Sequence, residues 1–197
     1  MQGYFYDASW YSRSRQGGSI MNIAVYLGSS TGKDPKYSAL TRSIGQWICK
    51  HQNTLVYGAG SKGQMGLLAD TVYQGKGRII GVMPRFLLKI EKLYAHLDEE
   101  YMVDTMSQRK QKMIDLAQGF IALPGGPGTL EEITEIISLV RLDQLPYPCV
   151  LYNLDGYYDT LKQQMDVMIQ EGFLDEEGIK NVHFVTSLEE LDALFGY

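Results

Sequence analysis

Short apolar runs recur along this chain at Asn22–Leu27, Thr54–Tyr57, Arg78–Val82, Phe120–Leu123 and Cys149–Tyr152, with a weaker one at His183–Val185. Each is apolar throughout rather than at every second residue, the pattern of a strand covered on both faces of its sheet. Longer amphipathic stretches separate them, near Tyr37–Lys50, Gly66–Gln74, Ser107–Gln118, Tyr158–Glu171 and Leu188–Leu194, and after Gly128. In the stretch after Gly128, Leu130, Ile133, Ile137 and Val140 share one helical face, with charge on the other.

Strand and helix in alternation predict an α/β fold of Rossmann-like, doubly wound type, with a mostly parallel sheet and helices on both faces. Ligands of such sheets gather at the carboxyl ends of the strands. Residues 21–197 read as one domain, without linker or repeat, and the length of 197 residues suits a single core. The stretch from Gln2 to Ser19, rich in Tyr, Ser, Arg and Gly, lacks the apolar segment of a signal peptide. Residues 1–20 therefore read as a leader or expression-derived arm.

Charge and cysteine content narrow the function. A net charge of −5 offers no general attraction to nucleic acid or to an anionic membrane, so an anionic ligand needs a local site. No apolar run approaches the roughly 20 residues that span a bilayer. Cys49 and Cys149 both fall in apolar patterns and read as buried thiols, and no metal-ligand spacing appears. The expectation is a cytoplasmic, reduced protein with no metal.

Three strands run into loops of small residues: Gly28-Ser29-Ser30, Gly58-Ala59-Gly60-Ser61-Lys62-Gly63 with Met65-Gly66 following, and Pro124-Gly125-Gly126-Pro127-Gly128-Thr129. Such loops let backbone approach a ligand, and N–H groups at a helix start bind anions. The second loop fits GxGxxG. A dinucleotide site also needs an acid closing the next strand, and Arg78-Ile79-Ile80-Gly81-Val82-Met83-Pro84 has none. NAD is excluded on that ground, and a phosphate or mononucleotide cleft is expected.

Two charge placements stand out. Ser107 reads as the cap of a helix whose first turn carries Arg109 and Lys110, where the macrodipole disfavours cations by about 0.3–1 kcal/mol each. They are either a solvated pair or partners of an anion, for which the Arg109 fork is the better ligand. Thr129-Leu130-Glu131-Glu132 fits a capping box in which Glu132 reaches back to Thr129. Alternatively, Glu132 stands a sugar's width from a bound phosphate. Asp143, Asp155 and Asp159 read as loop or cap residues.

Pro124-Gly125-Gly126-Pro127-Gly128-Thr129-Leu130-Glu131-Glu132 matches PGGxGTxxE. With Met106-Ser107-Gln108-Arg109-Lys110, it resembles the LOG family of cytokinin riboside 5′-monophosphate phosphoribohydrolases, whose members are often labelled lysine decarboxylases. The similarity runs through 21–197, including Gly28-Ser29-Ser30, Gly60 to Gly66 and Asn153-Leu154-Asp155-Gly156-Tyr157-Tyr158. It implies hydrolysis of the N-glycosidic bond of a nucleoside 5′-monophosphate to free base and ribose 5-phosphate, without a cofactor, by a homodimer. It implies Arg109 and Glu132 as the catalytic pair. Gly28, Ser29, Gly58, Gly60, Met65, Gly66, Met106, Lys110, Gly125, Gly126, Gly128 and Thr129 then bind substrate.

Glu132 would stabilise the oxocarbenium-like state and orient water. Arg109 would hold the ribose phosphate or balance charge on the departing base. AMP and N6-prenylated AMP both remain open as substrates. Ala59 departs from the glycine common in relatives, and Pro127 stiffens the cradle and removes one N–H donor. No lysine shows the context of a pyridoxal Schiff base, so decarboxylation is set aside. The competing class is a nucleotide-binding or carrier protein without turnover. Phe86-Leu87-Leu88 and Ile136-Ile137 suit either an interface or a core.

Overall fold

The computed structural model describes residues 20–197, so the arm predicted over 1–20 lies almost wholly outside the described residues. The strands are β1 (Asn22–Tyr26), β2 (Thr54–Tyr57), β3 (Arg78–Pro84), β4 (Glu99–Val103), β5 (Gly119–Ala122), β6 (Cys149–Tyr152) and β7 (Val182–Val185). The α-helices are α1 (Pro35–Lys50), α2 (Gly63–Gln74), α3 (Met106–Leu116), α4 (Pro127–Arg141), α5 (Asp159–Gln170) and α6 (Leu188–Phe195). The sheet order is β4-β3-β2-β1-β5-β6-β7, and every pairing is parallel. The chain builds outward from β1 to β4 and then returns to lay β5 on the other side of β1. A doubly wound sheet opens its crevice where the winding reverses, so the Gly28 and Pro124 loops face each other there.

β4 carries no strand signal in the sequence pattern. It reads Glu99-Glu100-Tyr101-Met102-Val103 and occupies an edge, none of its residues fully buried. Charge on an edge strand guards it against further pairing and erases the apolar signal.

Within β1 the pleat divides the core. Ile23 and Val25 pack with Ile44, Ile48, Leu68 and Leu191 on the α1, α2 and α6 side. Ala24 and Tyr26 pack with Met113, Ile133, Ile136 and Val140 on the α3 and α4 side. Burying an aliphatic side chain of this kind contributes about 1.5–3 kcal/mol. Ile136 belongs to this core, whereas Phe86 and Leu88 are exposed. Leu130, expected on the apolar face of α4, is 43% exposed, and Glu132 lies on the inner side instead. Cys149 is buried and Cys49 only partly so.

Candidate active site

Two helix starts frame the cleft, and both correct the caps expected from sequence. In α3 the cap is Thr105, not Ser107. Its hydroxyl accepts from the Gln108 N–H at 3.1 Å, and Gln108 Oε1 accepts from the Thr105 N–H at 3.3 Å. Gln108 is the third helical residue and completes the box, which Ser107 as cap would not allow. Arg109 then falls at the fourth helical position.

In α4 the cap is Gly126, Pro127 opens the helix, and no side chain caps it. The fixed φ of proline suits that first position, and its missing N–H is lost at no cost there. Glu132 is therefore the sixth helical residue, three positions beyond where a capping box needs its acid. The first helical bond runs from the Leu130 N–H to the Gly126 carbonyl at 3.1 Å. The N–H groups of Gly128 and Thr129 precede that ladder and point outward without a helical acceptor.

The loop leading into α4 is held from outside the cleft. Tyr158 Oη donates to the Leu123 carbonyl at 2.7 Å, and Tyr157 Oη donates to the Gly125 carbonyl at 2.6 Å. Asn153 fixes that pair, its Oδ1 accepting from the Tyr158 N–H at 2.6 Å and its Nδ2 donating to Asp159 at 2.7 Å. A side chain on Gly125 would strike Thr129 Oγ1, so only glycine fits that turn. Asp155 takes a positive φ of 49° in this segment and pairs with Lys36, while Asp143 ends α4 at φ 53°.

A cleft of about 240 Å³ opens between these loops. Of the residues expected at the site, Gly28, Ser29, Gly58, Met65, Met106, Arg109, Gly126, Gly128, Thr129 and Glu132 line it. Gly60 lines an adjoining outer cavity, and Gly125 faces a third hollow behind the loop. Gly66 lines none of these. Its Cα faces the Ser61 carbonyl so closely that a side chain would not fit, which makes it a packing residue of α2. Lys110 is also elsewhere: it bridges to Glu131 at 2.5 Å and Glu135 at 3.0 Å, so its anions are the protein's own. Tyr26, Glu91 and Met113 line the cleft without any sequence signal to mark them.

Arg109 and Glu132 share the cleft, each 8% exposed. Among the described residues neither forms an ion pair. Arg109 Nη1 approaches only the Met106 sulfur, at 4.0 Å, and its Nε is buried without a partner. Burial pushes the Glu132 carboxyl up to about 7, against the opposing pull of Arg109 through space. Burial thus holds the Glu132 carboxyl well above the ordinary carboxylate range, and among the described residues it forms no ion pair with the arginine it faces.

Gly58 explains where Arg109 lies. A Cβ there would overlap Nη2 of Arg109, so the guanidinium rests directly on the glycine backbone. Ala59, the departure from the relatives' glycine, is fully buried and has φ 58°. Its methyl turns into the core toward Gly81 and leaves the cleft floor clear.

A family model described as "Possible lysine decarboxylase" matches residues 65–194. The cytokinin riboside 5′-monophosphate phosphoribohydrolase LOG7 of Arabidopsis thaliana is 41% identical over 152 residues, 77% of this chain and 70% of that protein. LOG3 of the same plant, named for the same activity, is 38% identical over 161 residues, 82% of this chain and 75% of that protein. The chain belongs to the LOG family. Its fold is shared more widely: a molybdenum cofactor binding protein from Rippkaea orientalis superposes with a TM-score of 0.66 at 20% identity, covering 89% of this chain and 95% of the other.

The family description as a decarboxylase finds no support in the LOG-type cleft. Among the described residues no lysine lines the cleft that holds Arg109 and Glu132, so pyridoxal phosphate has no Schiff-base attachment there.

Proposed function

We propose that this chain hydrolyses the N-glycosidic bond of a nucleoside 5′-monophosphate, AMP or an N6-modified AMP, to free base and ribose 5-phosphate. The observation that carries this reading is the buried, unpaired Arg109 and Glu132 beside an uncapped helix start. The N–H groups of Gly128 and Thr129, with the positive end of the α4 dipole, receive the 5′-phosphate. The ribose then lies along α4 toward Glu132, which is one and a half turns in.

As the glycosidic bond breaks, positive charge grows on the anomeric carbon and negative charge on the base. Ionised Glu132 stabilises the first and accepts a proton from the attacking water, and that proton passes on to the ring nitrogen of the departing base, which leaves neutral. Arg109, lying on Gly58 across the cleft, balances the second. Both charges sit in a site largely closed to water, where such interactions are stronger than in bulk. Serving both roles is what leaving the two groups unpaired accomplishes; a salt bridge between them would quench each.

The test is incubation with AMP and with N6-isopentenyl-AMP, followed by chromatography of the products. The expected result is free base and ribose 5-phosphate in equal amounts. Tight nucleotide binding without base release would overturn the reading and leave a carrier.

We also propose a cytoplasmic homodimer. Its support is the family resemblance and the exposed Phe86, Leu88 and Ile90 beside the cleft, together with two unpaired cysteines. No described helix is long and apolar enough to cross a membrane. Light scattering after size exclusion is expected to give twice the mass of one chain; a monomer with full activity would refute the dimer.

A further inference from the structure

Where α3 and α4 converge, the cleft is lined by a phenol that hydrolysis, as just described, does not use. Tyr26 ends β1, and its backbone carbonyl accepts from the Leu123 N–H at 2.9 Å. The residue is buried and lines the cleft, yet among the described residues its hydroxyl forms no hydrogen bond.

Its place follows from what it packs against. The ring belongs to the core cluster of Met113 in α3 and Ile136 in α4. Met113 is four residues on from Arg109, and Ile136 four on from Glu132, so each lies one turn deeper on the same helical face. Tyr26 therefore sits in the layer just under the unpaired couple.

The surroundings keep the phenol protonated. Burial pushes it well above its ordinary value, and the charge of Glu132 is the next largest influence in that direction. Cys149 and Glu135 add to the rise, and Arg109 opposes it. At neutral pH Tyr26 is thus an uncharged hydroxyl that can donate one hydrogen bond and accept another.

This step rests on the phosphoribohydrolase reading, in which Glu132 takes a proton from the attacking water. One hydrogen bond to a carboxylate leaves that water free to swing, whereas attack needs its lone pair aimed at the anomeric carbon. An ordered water takes more than one polar partner. Tyr26 and Glu132 line one cleft and no hydrogen bond joins them, so a bridging molecule suits both. We propose that Tyr26 positions the nucleophile: its hydroxyl and the Glu132 carboxylate hold the attacking water between them. The water oxygen bonds to the anomeric carbon as the C–N bond breaks. One water proton goes to Glu132 and on to the base, and the other stays on the new hydroxyl of ribose 5-phosphate. Tyr26 keeps its own proton, so it aims the water without taking part in the transfer.

The experiment is Tyr26→Phe, which keeps the ring and removes only the hydroxyl, assayed by base release from AMP and by calorimetry with ribose 5-phosphate. The variant should melt no lower than wild type, because no protein group loses a partner. Its kcat should fall about 10- to 100-fold, while KM and the affinity for ribose 5-phosphate stay within about 3-fold. The step in kcat/KM near neutral pH should stay in place, since Glu132 remains the base. With methanol added, the variant should yield a larger share of methyl ribose 5-phosphate than wild type, because one water is no longer held in place. An unchanged kcat overturns the proposal, as does a fall in kcat matched by a loss of affinity. An unchanged methanol share, or a step displaced from neutral pH, overturns it too. A wild type that releases no base from AMP fails the hydrolase reading and this role with it. An active wild type that Tyr26→Phe matches refutes the role alone.

Discussion

Lys110 and Glu131 differ from Arg109 and Glu132 by one position on each of the same two helices. The first couple meets at 2.5 Å, and Glu135 adds a second acceptor, so the lysine is neutralised by protein. The second couple lies one step inward, is more deeply buried, and among the described residues touches nothing of opposite charge. Two helices that can close an ion pair on their rim could close one in the cleft, and here they do not. A buried charge without a partner is costly, and its persistence points to a ligand or a reacting group as the missing counterpart. The rim couple clamps α3 to α4; in the proposed function the inner couple is what is held open for chemistry.

The largest effect that would break this comparison is on turnover. Glu132→Gln should lower kcat by about 100- to 10,000-fold while nucleotide affinity, read by calorimetry, stays within a few-fold. Lys110→Met should change kcat by less than about 3-fold, since an ion pair at the rim contributes little. If the two variants lose activity alike, the inner and outer couples are not distinct.

Next in size is Gly58→Ala. Its methyl takes the place of the Arg109 guanidinium, so kcat/KM should approach that of Arg109→Ala, a loss of about 100-fold or more. Full activity in Gly58→Ala would mean that the position of Arg109 on the loop is unimportant.

A smaller effect is on stability, with opposite sign. The carboxyl of Glu132 is raised from its ordinary range to about 7 in the folded protein, so the fold binds its proton more tightly than the unfolded chain does. Its contribution is fully present below the unfolded value and is lost as pH rises through about 7. Glu132→Gln should therefore melt higher than wild type at pH 8, by about 1–3 kcal/mol, with the gain gone below roughly pH 4.5. Thermal denaturation across that range checks it.

Tyr158→Phe comes last among these. It leaves the buried Leu123 carbonyl unsatisfied at a cost of about 1–3 kcal/mol, and loosens the cradle so that KM rises more than kcat falls. An unchanged KM would show that the loop holds its shape without the tyrosine.

Much of this architecture could be read before the fold was seen. The buried strands announce themselves because both faces are covered, and Gly28, Gly58 and Gly126 because the loops they open line the cleft with backbone. β4 was hidden because an edge strand beginning Glu99-Glu100 carries no apolar signal. The α3 cap is ambiguous in sequence for a local reason: Thr105 and Ser107 are both cap-forming residues, and only Gln108 in the third position decides between them. Thr129 and Glu132 imitate a capping box until Pro127 is recognised as the first helical residue. That Lys110 is satisfied by Glu131 and Glu135 while Arg109 is not depends on how α3 and α4 face each other, which no spacing within either helix encodes. Glu91 lies in a mixed-charge loop whose pairing with Gly60 is non-local, and nothing in its neighbours marks it.

The unpaired inner couple is tested most directly by the pH dependence of kcat/KM for base release from AMP. The account predicts that the wild-type value rises through about pH 7 as Glu132 ionises and then levels off, and that Glu132→Gln is low and flat over the same range. A wild-type profile without a step near neutrality, or a variant that keeps the step, would contradict it.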